Sequence, residues 1–208
     1  MSSTRPIVNA IAEAAIPRAG EVLGRAFFDD PLWSWVLPDA DDRRRVLGWF
    51  LAIGVRYGHA HGVVHATEPS LDGCAVWLPP GDSDFLPERA APFGIMEAPE
   101  RLGEAAFARF DSVIAHLGEL HHQLEPAEHW YLMLLGVEPA RQRQGIGGAL
   151  LQPVLARADR EGRRCYLETQ KAANVPFYQA HGFEVSRETD APDDGPHLWL
   201  MARPPRPR

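Results

Sequence analysis

The sequence predicts an α/β fold in which helices flank a mixed β-sheet. Three observations carry that expectation. An apolar run over His129–Val137 ends in a glycine-rich turn that leads into an amphipathic helix and then a second apolar strand. This is the pattern of a βαβ unit, whose right-handed crossover joins neighbouring parallel strands. Residues 62–66 and 73–78 are short β-prone runs separated by a turn over 68–73, which makes them an antiparallel pair. The chain has 208 residues, with 45% hydrophobic and 24% charged side chains, values that suit one globular domain with a substantial core.

From the N-terminus, residues 7–11 read as a short strand. A helix over 17–28 follows, because Ala19, Val22, Leu23, Ala26 and Phe27 recur at helical spacing, and Asp29-Asp30-Pro31 breaks it. A second helix is expected over 41–57, with Asp41 or Asp42 near its start, Val46, Leu47, Phe50, Ile53 and Tyr57 as its inward stripe, and residues 58–62 ending it. After the hairpin, proline and glycine cluster between Pro79 and Pro99, so the chain reads as irregular until a helix over 100–117. The second half reads as strand 129–137, glycine turn, helix 145–161, strand 164–169, helix 175–181 and strands 183–188 and 197–202. Pro153 falls inside the first of these helices and is expected to bend it. Without internal repeats or long linkers, the expectation is a single domain over 1–203 and a disordered tail over 204–208.

A net charge of −7 argues against a general nucleic-acid binder, which needs a basic face, and suits small cationic substrates better. Cys74 and Cys165 form no Cys-x-x-Cys, so they read as ordinary buried thiols in a reducing compartment. No apolar run approaches a membrane span, and the first residues lack a signal-peptide pattern. The expectation is a soluble cytoplasmic protein with no membrane partner. His59, His61 and His65, and His121, His122 and His129, lack a recognised ligand spacing with cysteine or carboxylate. They read as solvated turn histidines, and no metal is expected.

The turn Arg141-Gln-Arg-Gln-Gly-Ile-Gly-Gly148 carries the chemistry. Amide N–H groups in the first turn of a helix have no intrahelical partner, and the peptide dipoles add partial positive charge there. Gly145 and Gly147 leave room for a pyrophosphate on the amides of Arg143, Gln144, Gly145, Ile146, Gly147 and Gly148, with Gln142, Arg143 and Arg141 as side-chain donors. Two other readings remain open. A dinucleotide loop would need a third glycine where Leu150 stands, although Glu168 lies about where its ribose-binding acid would be; a plain strand-to-helix loop with glycines for tight packing needs no ligand. The Walker loop fails, since Gly147-Gly148-Ala149 supplies neither lysine nor hydroxyl.

The spacing Gln142-x-x-Gly145-x-Gly147 resembles the loop by which the GNAT acetyltransferase superfamily holds the pyrophosphate of coenzyme A. Asn174-Val-Pro-Phe-Tyr178, followed by Gly182-Phe183, resembles that superfamily's next helix and turn. By this resemblance Asn174 contacts coenzyme A, a contact compatible with capping the helix, and Tyr178 lies beside the thioester sulfur as general acid. Trp130–Val137 in sequence, Leu167-Glu168-Thr169 and the Asn174 motif together look like the puromycin N-acetyltransferase branch. The resemblance is clear over 125–203 and faint over 26–31, so the acceptor itself does not follow from it.

It implies a GNAT fold, a twisted sheet splayed at the cofactor site, with acetyl coenzyme A in the splay and its pantetheine along Leu135, Gly136 and Val137. A free amide there is the expected oxyanion donor. Attack requires a neutral amine, yet an alkylammonium has a pKa of about 10.4. Glu168, near the apolar centre of the sheet, is the favoured base and ammonium contact, with Glu128 and His129 as weaker candidates and an ordered water as the other base. An exposed strand-end acid or a salt bridge is the competing role for Glu168. Asp30, Trp33 and Trp35 form an acidic and aromatic cluster where the superfamily often lines its acceptor pocket; core packing is the competing role for the tryptophans. The expected acceptor is a small primary amine. Lysine or N-terminal acetylation of proteins, and a non-catalytic acyl-coenzyme A sensor, are the alternatives. The superfamily's habit of pairing makes a homodimer the expected assembly.

Overall fold

The computed structural model describes residues 6–125 and 127–206. The first half contributes β1 (Ile7–Ala10), α1 (Ile16–Ala26), α2 (Pro31–Val36), α3 (Ala40–His61), β2 (Val63–Glu68) and β3 (Gly73–Leu78). Short helices α4 (Pro87–Ala90) and α5 (Ala98–Leu102) then lead into the long α6 (Glu104–Leu124). The second half comprises β4 (His129–Val137), α7 (Ile146–Glu161), β5 (Arg164–Thr169), α8 (Val175–Ala180), β6 (Glu184–Asp190) and β7 (His197–Arg203). The seven strands form one sheet in the order β1-β2-β3-β4-β5-β7-β6. Every pair is antiparallel except β4 and β5, which α7 joins in parallel.

The sheet buries both faces, so its central strands are apolar on both sides. Cys74, Val76 and Leu78 of β3 meet the helices of the first half, whereas Ala75 and Trp77 meet α7. Each face follows the period of two expected of a strand. Trp130, Leu132, Cys165, Leu167 and Met201 complete the α7 side. Burial pushes the free Cys74 and Cys165 thiols up to about 12, which leaves them neutral and unreactive.

Several boundaries differ from the expectation, each for a local reason. Asp30 does more than break a helix: its carboxylate accepts the Leu32 amide at 2.9 Å and caps α2, with Pro31 at the first helical position. Asp39, not Asp41 or Asp42, caps α3 by accepting both of those residues' amides. That helix runs past Gly58 to His61. Gly58 is there for packing, since a Cβ at this position would lie 2.2 Å from Val76 Cγ1. Gly58→Ala is therefore expected to destabilise the fold by about 1–3 kcal/mol through overpacking, measured by urea unfolding.

Pro153 sits inside a helix that continues to Glu161. At the C-terminus, Asp159 ties down Arg203 and the backbone of Arg206. It accepts both terminal nitrogens of the buried Arg203 at 2.8 Å and the Arg206 amide at 2.8 Å. Residues 207 and 208 lie outside the described residues. Among the described residues no helix is long and apolar enough to cross a membrane.

Candidate active site

The site begins where the two parallel strands part. β4 and β5 pair only at His129–Arg164, Trp130–Cys165 and Tyr131–Tyr166. Beyond Tyr131, β4 stays on β3 while β5 stays on β7, so the edge of Leu135, Gly136 and Val137 that faces β5 has no strand partner. A register shift adds Met133 to β4 between the pairs Val76–Leu134 and Trp77–Leu132. Such a bulge strengthens local twist and helps turn β4 away. A cavity of about 1560 Å³ spans the opening. That exceeds the size of an ordinary single-ligand pocket, roughly 300–1,000 Å³.

At one end of the cavity lies the glycine turn. No backbone or side-chain acceptor among the described residues takes the amides of Arg143, Gln144, Gly145, Ile146, Gly147 or Gly148. Gly145 occupies the left-handed region at φ 81, with open space around its Cα, and Arg143 shares that region at φ 59. Gly147 and Gly148 also serve packing: Cβ atoms there would lie 3.1 Å from Phe177 Cζ and 2.8 Å from His181 Nε2. They let α8 and the turn after it close against the N-terminus of α7. Gln142 holds the turn's own shape, donating through Nε2 to Val137 O at 3.1 Å, and Arg141 is paired with Asp72 at 3.2 Å.

Asn174 lines the cavity but does not cap α8. Its Nδ2 donates to Thr169 Oγ1 at 3.2 Å, tying the start of α8 to the end of β5. Tyr178 is buried against Phe177 and Phe183 and also lines the cavity. Burial, then the nearby Asp30 charge, pushes its phenol above the ordinary value, so it is a protonated donor throughout the physiological range. Burial also raises Asp30 to about 6, against the pull of its Leu32 amide bond and of Lys171, the chain's single lysine. The sequence reading missed this arrangement, in which Asp30, Lys171 and Tyr178 share one wall.

Glu168 lines the cavity. Burial pushes its carboxyl up to about 7, partly offset by the Tyr131 and Tyr166 hydroxyls beside it. The other end is apolar: Trp33 stacks on Phe110 at 5.5 Å and meets Phe50 edge-on at 5.2 Å, and Leu32, Ile95 and Leu117 extend that wall. Trp35 is not part of it and lies under the Arg109 guanidinium instead.

The histidine reading needs correction. His65 lies on β2, and His121 and His129 are buried with their Nε2 atoms 2.6 Å apart. Period-two alternation was the missed signal, since it puts His129 and Tyr131 of β4 on one face, and Tyr166 and Glu168 of β5 on one face. Among the described residues no group of three or more His, Cys, Asp or Glu is placed to hold a metal ion.

A family model described as an acetyltransferase (GNAT) domain matches residues 102–185. Among solved structures, the chain is similar to the histone acetyltransferase HPA2 and related acetyltransferase from Corynebacterium glutamicum, at 23% identity over 99% of each chain with a TM-score of 0.68. It is also similar to arylalkylamine N-acetyltransferase 2 from Aedes aegypti, at 17% identity over 98% of this chain and 100% of that one, with a TM-score of 0.69. The Drosophila melanogaster polyamine N-acetyltransferase matches at 14% identity over 95% and 99%, with a TM-score of 0.60. The unpaired edge of β4, the free amides before α7 and these matches lead to one statement: the chain has the GNAT fold, and residues 102–185 match its acetyltransferase domain.

Proposed function

We propose that the chain transfers an acetyl group from acetyl coenzyme A to the primary amine of a small molecule with an apolar body. The observation that carries this reading is the single cavity that joins the free amides before α7, the unpaired edge of β4, and the side chains of Glu168 and Tyr178. When bound, acetyl coenzyme A supplies the acyl group activated as a thioester.

The amides of Arg143, Gln144, Gly145, Ile146, Gly147 and Gly148 suit its pyrophosphate, and Leu135, Gly136 and Val137 offer backbone groups to pantetheine. Asn174 fixes the end of β5 beside it. Glu168 takes a proton from the incoming ammonium, a task suited to a base poised near neutrality. A β4 amide donates to the negative charge developing on the acyl oxygen, and Tyr178 gives its phenolic proton to the leaving sulfur.

The apolar end carries the acceptor reading. Trp33, Phe50 and Phe110 suit the body of an amine, leaving Glu168 to receive its cationic head. An aromatic wall of this kind fits the apolar body of a small molecule better than the aliphatic stem of a lysine on a protein. The puromycin branch remains the closer reading of the motifs over 125–203.

The test is release of coenzyme A thiol from acetyl coenzyme A against a panel of puromycin, arylalkylamines, polyamines, aminoglycosides, amino acids and lysine peptides. Release dependent on an apolar amine supports the reading; release with lysine peptides alone overturns the small-molecule part. Tight binding of acetyl coenzyme A with no release in any arm would instead fit a sensor. Gly145→Ala is expected to weaken acetyl coenzyme A binding about threefold to tenfold, because the left-handed turn then becomes strained. Calorimetry measures it.

A further inference from the structure

We propose that Tyr57 is a positioning residue for the acceptor: from outside the cavity, its hydroxyl holds residues 84–86, which form part of the cavity's wall, and so sets which amines the site takes. The inference rests on the reading of the site as an amine acetyltransferase and adds what fixes its selectivity.

The aromatic wall is built on helices, with Trp33, Phe50 and Phe110 reaching it from α2, α3 and α6. Ser83, Asp84, Phe85 and Leu86 line the same cavity, but they lie within residues 82–86, which form neither helix nor strand. Backbone outside regular structure must find its hydrogen-bond partners elsewhere. Among the described residues, two hydrogen bonds tie the backbone of 83–86 to an element distant in sequence, and one hydroxyl makes both. Tyr57 Oη donates to Asp84 O at 2.8 Å and accepts the Leu86 amide at 3.2 Å.

The two bonds clasp Phe85 between them. Its ring lies 4.7 Å from the Tyr57 ring, so the same side chain fixes Phe85 through ring contact and through the backbone on either side. Tyr57 itself does not line the cavity. It is fully buried on α3, beneath the Arg89 guanidinium and edge-on to His61 and Phe93. Burial raises its phenol above the ordinary value, so the hydroxyl keeps the proton it donates. Phe50 stands about two turns earlier on the same helix, so α3 places both the aromatic wall and the run beside it.

This run brings a charge to the cavity as well as apolar surface. Burial, then the charges of Glu168 and Asp84, raise the Tyr131 phenol, which puts the Asp84 carboxylate near Tyr131 and Glu168. On its other side, Asp84 Oδ1 lies 3.6 Å from His122 Nε2. A shift of the run would therefore move Phe85 and a carboxylate together. Without the Tyr57 hydroxyl, the Asp84 carbonyl and the Leu86 amide lose their partner, and the run has to move to replace it. The cofactor should keep its site, because the amides before α7 and the edge of β4 lie on other elements.

The test compares Tyr57→Phe with the unaltered protein on phenethylamine and on ethylamine, an acceptor without the apolar body. The ratio of their kcat/KM values is read on one preparation, so the fraction of folded protein cancels. The expected result is a ratio about tenfold lower in the variant, carried by a higher KM for phenethylamine, with kcat and the calorimetric affinity for acetyl coenzyme A within about twofold. An unchanged ratio means a structural role only and overturns the proposal. Phe85→Ala should lower the ratio likewise and guards against Tyr57→Phe failing to fold; an unchanged ratio there also overturns it. In the double variant, the loss should be little more than that of Phe85→Ala alone, and losses that add would show that Tyr57 does not act through this run.

If the unaltered protein acetylates neither amine nor any other, the proposed function fails by itself, and two readings without turnover decide the role of Tyr57. The Leu86 amide should exchange its hydrogen at least about tenfold faster in Tyr57→Phe, and phenethylamine should bind about tenfold more weakly in calorimetry. Unchanged exchange, unchanged binding, or no binding to the unaltered protein overturns the proposal.

Discussion

Glu168→Gln is expected to lower turnover of a primary alkylamine about a hundredfold at pH 7.5, within the range typical of losing a general base. The glutamine keeps the size and polarity of the side chain but cannot take a proton. The unaltered protein should show kcat/KM rising with pH through about 7, where the Glu168 carboxyl ionises, and the variant should lose that limb. Stability should move the other way. The folded-state pKa lies above the ordinary 4.5, so the native state favours the neutral acid. Below pH 4.5 both folded and unfolded chains are protonated, and burial of the group carries no charge penalty. Between 4.5 and 7 the penalty grows, and above 7 it is complete. Glu168→Gln should therefore stabilise the fold at pH 8 by about 1–3 kcal/mol and lose that advantage toward pH 4.5. Urea midpoints at the two pH values check it. A slower variant with no gain in stability would mean that Glu168 is not held as a costly buried base.

The course of β4, α7 and β5 was legible in the sequence because each element is bounded by residues with a single local meaning. Gly145 and Gly162 begin and end α7 in the left-handed region, and the apolar run of β4 has no competing helical period. Ambiguity arose where one residue carries two meanings. Asp30-Pro31 both ends α1 and starts α2, and Gly58 resembles a helix stop but serves the contact with Val76. Asn174 illustrates the same limit in the site: a residue suited to capping instead bonds Thr169.

The glycine turn was readable as a run of amides without intrahelical partners, since that property is local. Of the apolar end the sequence singled out Trp33 but not Phe50 or Phe110, because the three come from separate elements and meet only through the packing of α2, α3 and α6. The buried histidines were misread for a related reason. Composition marks them as polar, whereas the strand face and the C-terminal turn of α6 decide that they lie inside.

Tyr178→Phe should lower turnover by about tenfold to a hundredfold while leaving the affinity for acetyl coenzyme A within about twofold. The ring is buried between Phe177 and Phe183, so phenylalanine preserves its packing and only the hydroxyl is lost. The raised phenol pKa gives the prediction its pH dependence. Tyr178 stays protonated across the range in which Glu168 titrates, so the variant should be slower at every pH with the limb near 7 unchanged. A general base at this position would instead remove that limb, and the two profiles separate the roles. The leaving thiol provides a second check. An acyl donor whose thiol is already acidic, such as a thiophenyl ester, needs no proton in order to leave, and with it the variant should approach the unaltered protein. Retained turnover with acetyl coenzyme A would remove Tyr178 from the reaction and leave its hydroxyl as a buried neighbour of Asp30.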